Sequence, residues 1–219
     1  MKQTKIVVDA MGGDNAPQLI IEGAVAACRE YRAEIILVGH ADRTKQHLKK
    51  MNAAYLPIGI KHAGEVVTME DNPLDVIRKK KDSSIRIGLE LVAQKKADAF
   101  VSAGNSGAVA SGALFMLKRI KGIERPAIAA VMPTIKGHVV VIDAGANTAV
   151  KPFNLVQFAI MSSVYCKYAV QTKNPKISIL SNGEEDIKGT DAIREANGLL
   201  KNSSLNYIGY VEGSDVFRG

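Results

Sequence analysis

Short runs of β-branched residues alternate with longer amphipathic stretches along the chain, a rhythm that predicts strands followed by helices. Strands are expected at 4–8, 34–38, 58–62, 98–102, 177–180 and 206–211. Helices are expected at 17–31, from the second strand to about 50, from 83 or 84 to about 95, and at 107–119, 153–170 and 191–201. In the first helix Leu19, Ile20, Gly23, Ala24 and Ala27 fall on one face, Pro17 suits the first helical position, and Asp14 or Asn15 can cap it. Ser83 or Ser84 caps the helix that follows the third strand.

Two further strands, at 127–132 and 139–143, are joined only by 133–138. That link is too short for a crossover helix, so the pair is expected to be antiparallel. Repeated βα units predict an α/β fold: a three-layer αβα sandwich with a doubly wound, mostly parallel sheet and one antiparallel hairpin. The hairpin breaks the alternation that a (β/α)8 barrel needs. No internal repeat or linker is visible, so residues 1–219 are expected to form a single α/β catalytic domain. Segment 65–82 is polar and irregular and is the expected mobile loop. Nothing resembling a closing helix follows the last strand, so the ending reads as premature.

Composition narrows the class. Hydrophobic content of 47% and charged content of 23% are those of a soluble globular protein. No apolar run approaches the roughly 18–20 residues that span a bilayer, and Asp9 interrupts Ile6-Val7-Val8 before a signal-peptide core can form. The two cysteines, Cys28 and Cys166, read as small buried hydrophobes in a reducing, cytoplasmic compartment. Four scattered histidines offer no zinc spacing, and no metal is expected. The formal charge of +7 gathers in Lys49-Lys50, Lys79-Lys80-Lys81 and Lys95-Lys96. Such runs are solvated faces in the plain reading; they also suit an acidic protein, an anionic membrane surface or phosphate. Nucleic acid is not an expected partner, because aromatics are only 5% and Trp is absent.

Ligands of open α/β sheets bind beyond the carboxyl ends of the strands. There the chain places Asp9-Ala10-Met11-Gly12-Gly13-Asp14, then Ser102-Ala103-Gly104-Asn105-Ser106-Gly107, then Asp143-Ala144-Gly145-Ala146-Asn147, then the segment from Asn182 to Gly189. The 102–107 turn enters a helix, so its free N–H groups form a phosphate or oxyanion cradle or, equally, an ordinary capped turn. It lacks the Walker lysine and the GxGxxG spacing, so nucleotide binding is not indicated. Gly12-Gly13 lets backbone approach a ligand, while Asp14 reads as either a cap or a catalytic carboxylate. Asp9, at the end of a buried strand, needs a partner. The acidic turn Glu184-Glu185-Asp186, without a histidine, reads as solvated or paired with Lys188 rather than as a metal site.

In series these segments resemble the PlsX family of phosphate:acyl-[acyl-carrier-protein] acyltransferases. The resemblance rests on Val8-Asp9-Ala10-Met11-Gly12-Gly13-Asp14-Asn15-Ala16-Pro17, Arg78-Lys79-Lys80-Lys81-Asp82-Ser83-Ser84, and the stretch 97–108 around Ser102-Ala103-Gly104-Asn105-Ser106-Gly107. It continues through 119–127, Gly145-Ala146-Asn147, Gly183-Glu184-Glu185 with Lys188-Gly189, and Val211-Glu212-Gly213. The motifs occur in family order.

The resemblance implies transfer of a long-chain acyl group from acyl-carrier protein to inorganic phosphate, giving acyl phosphate for phospholipid synthesis. It implies a fold similar to phosphotransacetylases and isopropylmalate dehydrogenases, no metal or organic cofactor, and a homodimer. It also implies a cytoplasmic protein with peripheral contact at the inner membrane face, and a membrane-bound glycerol-3-phosphate acyltransferase downstream. Under this reading Gly12, Gly13, Ser102, Gly104, Asn105, Ser106 and Gly107 bind phosphate or the oxyanion. Lys80, Lys188 and Arg78 neutralise charge, Asp9, Asp143 and Asn147 orient the site, and Arg78, Lys79 and Lys81 meet the acidic carrier. With no Ser-His-Asp pattern, direct attack by phosphate is favoured over an acyl-enzyme.

Ala149, Ser181-Asn182, Tyr210 and Ser214 depart from the family pattern, and the family continues well beyond Gly219, so a C-terminal part is expected to be missing. Two other readings stay open: a short-chain acyl-CoA phosphotransacylase, and a non-catalytic module that binds acyl-carrier protein.

Overall fold

The computed structural model describes residues 3–183 and 188–219, so the acidic turn at 184–186 lies outside the described residues. The chain divides into two compact units, Met1–Lys118 and Arg119–Gly219.

In the first unit β1 (Lys5–Asp9), β2 (Glu34–Gly39), β3 (Ile58–His62) and β4 (Ala99–Val101) form a parallel sheet in the order β3-β2-β1-β4. Helices α1 (Gln18–Tyr31), α2 (Ala41–Lys50), α3 (Pro73–Lys79), α4 (Ser84–Ala93) and α5 (Ser106–Met116) complete it. Side chains alternate between the sheet faces. Ile35 and Leu37 bury against Ile21, Ala24, Val25 and Cys28 of α1 and Leu48 of α2. Val7 and Val38 bury on the opposite face, where Ile87 and Leu91 of α4 pack. With both faces covered, the interiors of β1 and β2 must be apolar, and residues 6–8 and 35–38 are. This unit is a three-layer sandwich. A third cluster joins Val76 and Ile77 of α3, Ile85 and Leu89 of α4, and Ala108 of α5. Gly112 lets α5 approach, since a Cβ there would lie 2.4 Å from Leu89 Cδ1.

Several expectations need correction. Helix α1 begins at Gln18 with Pro17 as its N-cap residue and no side-chain cap, so neither Asp14 nor Asn15 caps it. Its buried face is Ile21, Ala24, Val25 and Cys28, while Leu19 and Gly23 are exposed. The buried face is the one that meets Ile35 and Leu37 of β2 and Leu48 of α2. Segment 65–82 is not irregular throughout: α3 forms inside it, with Asn72 Oδ1 accepting the Leu74 and Asp75 N–H groups and Pro73 opening the helix. Such a short helix carries too few turns to show a period. Ser83, rather than Ser84, caps α4. Cys166 is only half-buried, although burial raises both thiol pKa values, which suits neither for nucleophilic work.

In the second unit β5 (Ala129–Thr134) and β6 (Gly137–Ile142) form the antiparallel hairpin, with only Ile135-Lys136 between them. Gly137, at φ +138°, turns the chain back. Helix α6 (Pro152–Tyr168) follows, then β7 (Ile177–Leu180), α7 (Asp191–Lys201), β8 (Tyr207–Val211) and α8 (Gly213–Arg218). The parallel pair β7–β8 buries Ile177, Ile179 and Tyr210 against Ala159 of α6 and Ala196 and Leu200 of α7. A short helix does follow the last strand, contrary to expectation: α8 turns onto the hairpin, where the Ile135 N–H donates to the Phe217 carbonyl at 3.0 Å. Among the described residues, no helix is long and apolar enough to cross a membrane.

Helix α6 also buries two amides that hold the preceding loop. Asn154 Nδ2 donates to Glu124 Oε2 at 2.8 Å, and the Gln157 side chain accepts the Glu124 N–H at 2.9 Å and donates to the Gly122 carbonyl at 2.7 Å. Asn154, 1% exposed, also accepts the Lys151 N–H at 2.9 Å. Asn154→Ala leaves that donor and the carboxylate without it, so the urea midpoint is expected to fall by the equivalent of about 1–3 kcal/mol. An unchanged midpoint would mean that water replaces both bonds.

Candidate functional site

Strand β1 ends in Asp9, and β4 runs into the 102–107 turn. Because β1 and β4 are sheet neighbours, the two loops meet. Asp9 is 1% exposed; its Oδ1 accepts the Met11 N–H at 3.0 Å and its Oδ2 accepts the Ser102 hydroxyl at 2.7 Å. Ser102 Oγ in turn accepts the Gly104 N–H at 3.1 Å. The buried carboxylate thus has the partners its position demands. The network leaves no room for a side chain at Gly12, where a Cβ would lie 2.4 Å from Asp9 Oδ2 and 2.9 Å from the Gly104 nitrogen. Gly13, at φ +98°, completes the turn.

The buttressed turn delivers the chain into α5. Asn105 caps the helix, its Oδ1 accepting the Ala108 N–H at 2.9 Å, while its Nδ2 donates to the carbonyls of Thr68 and Asp71, each at 3.1 Å. The Asn105 amide is therefore engaged within the protein. Gly107 admits Pro73, since a Cβ there would lie 2.8 Å from Pro73 Cγ. Ser106 is exposed at the first helical position. Among the described residues no acceptor takes the Ser106 or Gly107 N–H groups, so these and the Ser106 hydroxyl face outward at the positive end of the helix dipole. That arrangement can hold an anion.

The basic run behaves less uniformly than its sequence. Arg78 and Lys81 are exposed, and Lys79 is an exposed partner of Asp75 at 3.1 Å. Lys80 is half-buried, and its Nζ donates to the Val66 carbonyl at 2.8 Å and to Asp71 Oδ2 at 2.6 Å. The Lys80 hydrogen bond, with the Thr68 N–H, holds the Asp71 carboxyl below its usual range. Lys49, Lys50, Lys95 and Lys96 are exposed, as solvated lysines should be.

The second unit holds Asp143 and Asn147 together. Asp143 Oδ1 accepts the N–H groups of Ile128 (2.8 Å) and Ala146 (3.1 Å); Oδ2 accepts the Asn147 backbone N–H (2.7 Å) and its Nδ2 (3.0 Å). Burial pushes the Asp143 pKa up, but these donors outweigh it and the net shift is downward. Asn147 also donates to the Pro126 carbonyl at 2.8 Å. Lys188 is half-buried and joins neither Asp143 nor Asn147 by a hydrogen bond; the next residue, Gly189, donates its N–H to Asn182 Oδ1 at 3.1 Å. No group of three or more acidic, His or Cys side chains among the described residues could hold a metal. Asp71, Glu124 and Asn154 escaped the sequence reading. For Asp71 a signal existed, because Asn72-Pro73 right after it is a helix start.

A parallel α/β sheet with a glycine-buttressed turn feeding a helix N-terminus defines an α/β protein whose first unit has the geometry of an anion cradle. A family model described as "Fatty acid synthesis protein" matches residues 4–219, and the chain belongs to that family. It is 56% identical over 215 residues to a phosphate acyltransferase of Geotalea daltonii, 54% to one of Geotalea uraniireducens and 52% to one of Geobacter sulfurreducens. Each alignment covers 98% of this chain and 62% of the relative, so the chain spans under two thirds of their length. The resemblance read from the motifs is thereby borne out. The EutD phosphotransacetylase from Staphylococcus aureus shares the fold, with a TM-score of 0.66 at 18% identity over 95% of this chain and 68% of that one.

Proposed function

We propose that the chain carries phosphate-handling machinery of an enzyme that transfers a long-chain acyl group from acyl-carrier protein to inorganic phosphate, yielding acyl phosphate for phospholipid synthesis. The observation that carries this reading is the outward-facing start of α5, with Ser106 and the Ser106 and Gly107 N–H groups held in place by Asp9, Ser102 and Gly104. Membership of the fatty acid synthesis family and the names of the relatives support it.

A phosphate oxygen attacks the thioester carbonyl carbon, and the carbonyl π electrons move onto oxygen. As the tetrahedral intermediate collapses, the C–S bond breaks and its electron pair leaves on sulfur, which then takes up a proton. The α5 start holds the phosphate or the oxyanion, and fixed donors of this kind each contribute about 10²–10³ in kcat. Asp9, Ser102, Gly104, Gly12 and Gly13 set the turn's shape, and Asn105 closes it behind. Within the second unit, Asp143 and Asn147 serve orientation and Lys188 serves charge neutralisation. Exposed Arg78, Lys79 and Lys81 meet the acidic carrier. The acting protein is a homodimer that touches the membrane surface, where a glycerol-3-phosphate acyltransferase consumes its product.

The test follows phosphate-dependent release of thiol, with long-chain acyl-carrier protein and with acetyl-CoA as donors. Faster release from the carrier is expected, with Ser106→Ala lowering kcat about 100-fold to 1,000-fold. Faster release from acetyl-CoA would favour a phosphotransacetylase, the activity named for the structural neighbour. Carrier binding without turnover would favour a binding module.

A further inference from the structure

Two side chains from different elements grip one stretch of backbone. From the α5 cap, Asn105 Nδ2 donates to the Thr68 and Asp71 carbonyls at 3.1 Å each and lies 3.4 Å from the Met69 carbonyl. From the end of α3, Lys80 Nζ donates to the Val66 carbonyl at 2.8 Å and to Asp71 Oδ2 at 2.6 Å. The same Asp71 oxygen accepts the Thr68 N–H at 2.7 Å, closing the segment on itself. Segment 66–71 is therefore fastened at both ends and in the middle. The Lys80 and Asp71 side chains are 29% and 25% exposed, so water screens their attraction less than it screens the surface pair Lys79–Asp75. Their charges cancel, which leaves Lys80 little net charge to offer a phosphate. Between the fastenings, Met69 stands 59% exposed beside the residue that caps the anion-binding turn.

We infer that Asp71 is a positioning residue for the acyl donor: with Lys80 and Asn105 it holds segment 66–71 beside the α5 turn, so that Met69 meets the acyl thioester while the turn takes the phosphate. This rests on the acyl-transfer reading above. It gives Lys80 a different task from charge neutralisation, since the ammonium acts through Asp71 on the shape of a loop. A clasp with a merely structural role would weaken the fold without separating the two substrates. One that positions the donor surface raises the donor's KM and leaves the phosphate's alone.

The 219-residue chain is compared with its Asp71→Ala, Lys80→Met and Lys80→Arg variants by hydrogen exchange and by initial rates with long-chain acyl-carrier protein and phosphate. Exchange in 66–71 should rise about tenfold or more in Asp71→Ala and Lys80→Met, with α1 and α2 unchanged. Donor KM should rise about tenfold, phosphate KM should stay within about twofold, and Lys80→Arg should restore most of the loss. The double variant Asp71→Ala/Lys80→Met should be no worse than either single one, because the two side chains form one interaction. A rise in phosphate KM at constant donor KM would overturn the inference by putting Lys80 on the phosphate. Unchanged KM values would do so by making the clasp purely structural, and unchanged exchange would remove the clasp itself. A wild-type chain that releases no thiol in response to phosphate sinks the acyl-transfer reading and the donor role with it; the exchange data still report on the clasp separately.

Discussion

Replacing Gly12 with alanine is expected to unseat the whole turn that feeds α5. The new methyl carbon would lie 2.4 Å from Asp9 Oδ2, 2.9 Å from Ser102 Oγ and 2.9 Å from the backbone nitrogen of Gly104. None of the three has somewhere to go. Asp9 is buried at a strand end, Ser102 is bonded to it, and Gly104 is itself packed on Gly12, a Cβ there lying 3.1 Å from the Gly12 Cα. Moving the carboxylate strands the Ser102 hydroxyl or the Met11 N–H, at about 1–3 kcal/mol for each group left unpaired. Moving the 102–104 backbone costs a similar amount in strain, about 1–3 kcal/mol. If both give way, the urea midpoint should therefore drop by the equivalent of about 2–6 kcal/mol. Phosphate-dependent thiol release should fall about 100-fold, the usual penalty for misplacing a reacting group by an ångström. Gly23→Ala is the matched control, because nothing lies within 4 Å of its Cβ and the residue sits exposed inside α1. That change should stabilise the chain by about 0.5–1 kcal/mol. If Gly12→Ala unfolds at the wild-type midpoint, the two loops are looser than the network implies.

Asp143→Asn should destabilise the second unit, and in a pH-dependent way. The carboxylate accepts four hydrogen bonds; an amide presents an NH2 group where two of those donors point. At neutral pH the loss should be about 2–4 kcal/mol. The donors hold the folded-state pKa of Asp143 below its ordinary 3.8 even though burial pushes the other way. A depressed folded pKa means that the carboxylate's stabilisation is fully present above the unfolded value and disappears as pH falls through the folded one. As pH falls below about 4 the gap between the wild-type chain and the variant, which lacks this titration, should therefore narrow, and it closes only once pH passes below the folded pKa. Urea midpoints at pH 7 and pH 3 measure the effect. An equal gap at both values would show that the ionised form is not what the four donors need.

How far the sequence could be read depended on where each partner lay. Strands β3 and β7 and helix α7 fall at the expected residues, because alternation and a Thr190 cap are local signals. Asp9 invited attention because a carboxylate cannot end a buried strand alone. Its partner was not legible in either loop, since Ser102 meets Asp9 only through the sheet order that sets β4 beside β1. Asn105 and Lys80 looked like ligand-facing groups for the same reason in reverse. Their acceptors, the carbonyls of Thr68 and Asp71 and the Asp71 carboxylate, depend on α3, which is too short to announce itself by period. Asp143 with Asn147 was easier, because the contact is made within a single turn of chain.

The Asp9–Ser102 bond also sets an order of events. Its ends are 93 residues apart, so it closes only after β2, β3 and the helices between have been gathered in and β4 has docked. A nascent chain leaving the ribosome carries Asp9 without its partner until the start of α5 has emerged. The turn that could hold phosphate is thus among the last features of the first unit to take shape, and an anion has nothing to grip while folding is under way. Phosphate should slow the unfolding of this unit while leaving its rate of folding nearly untouched.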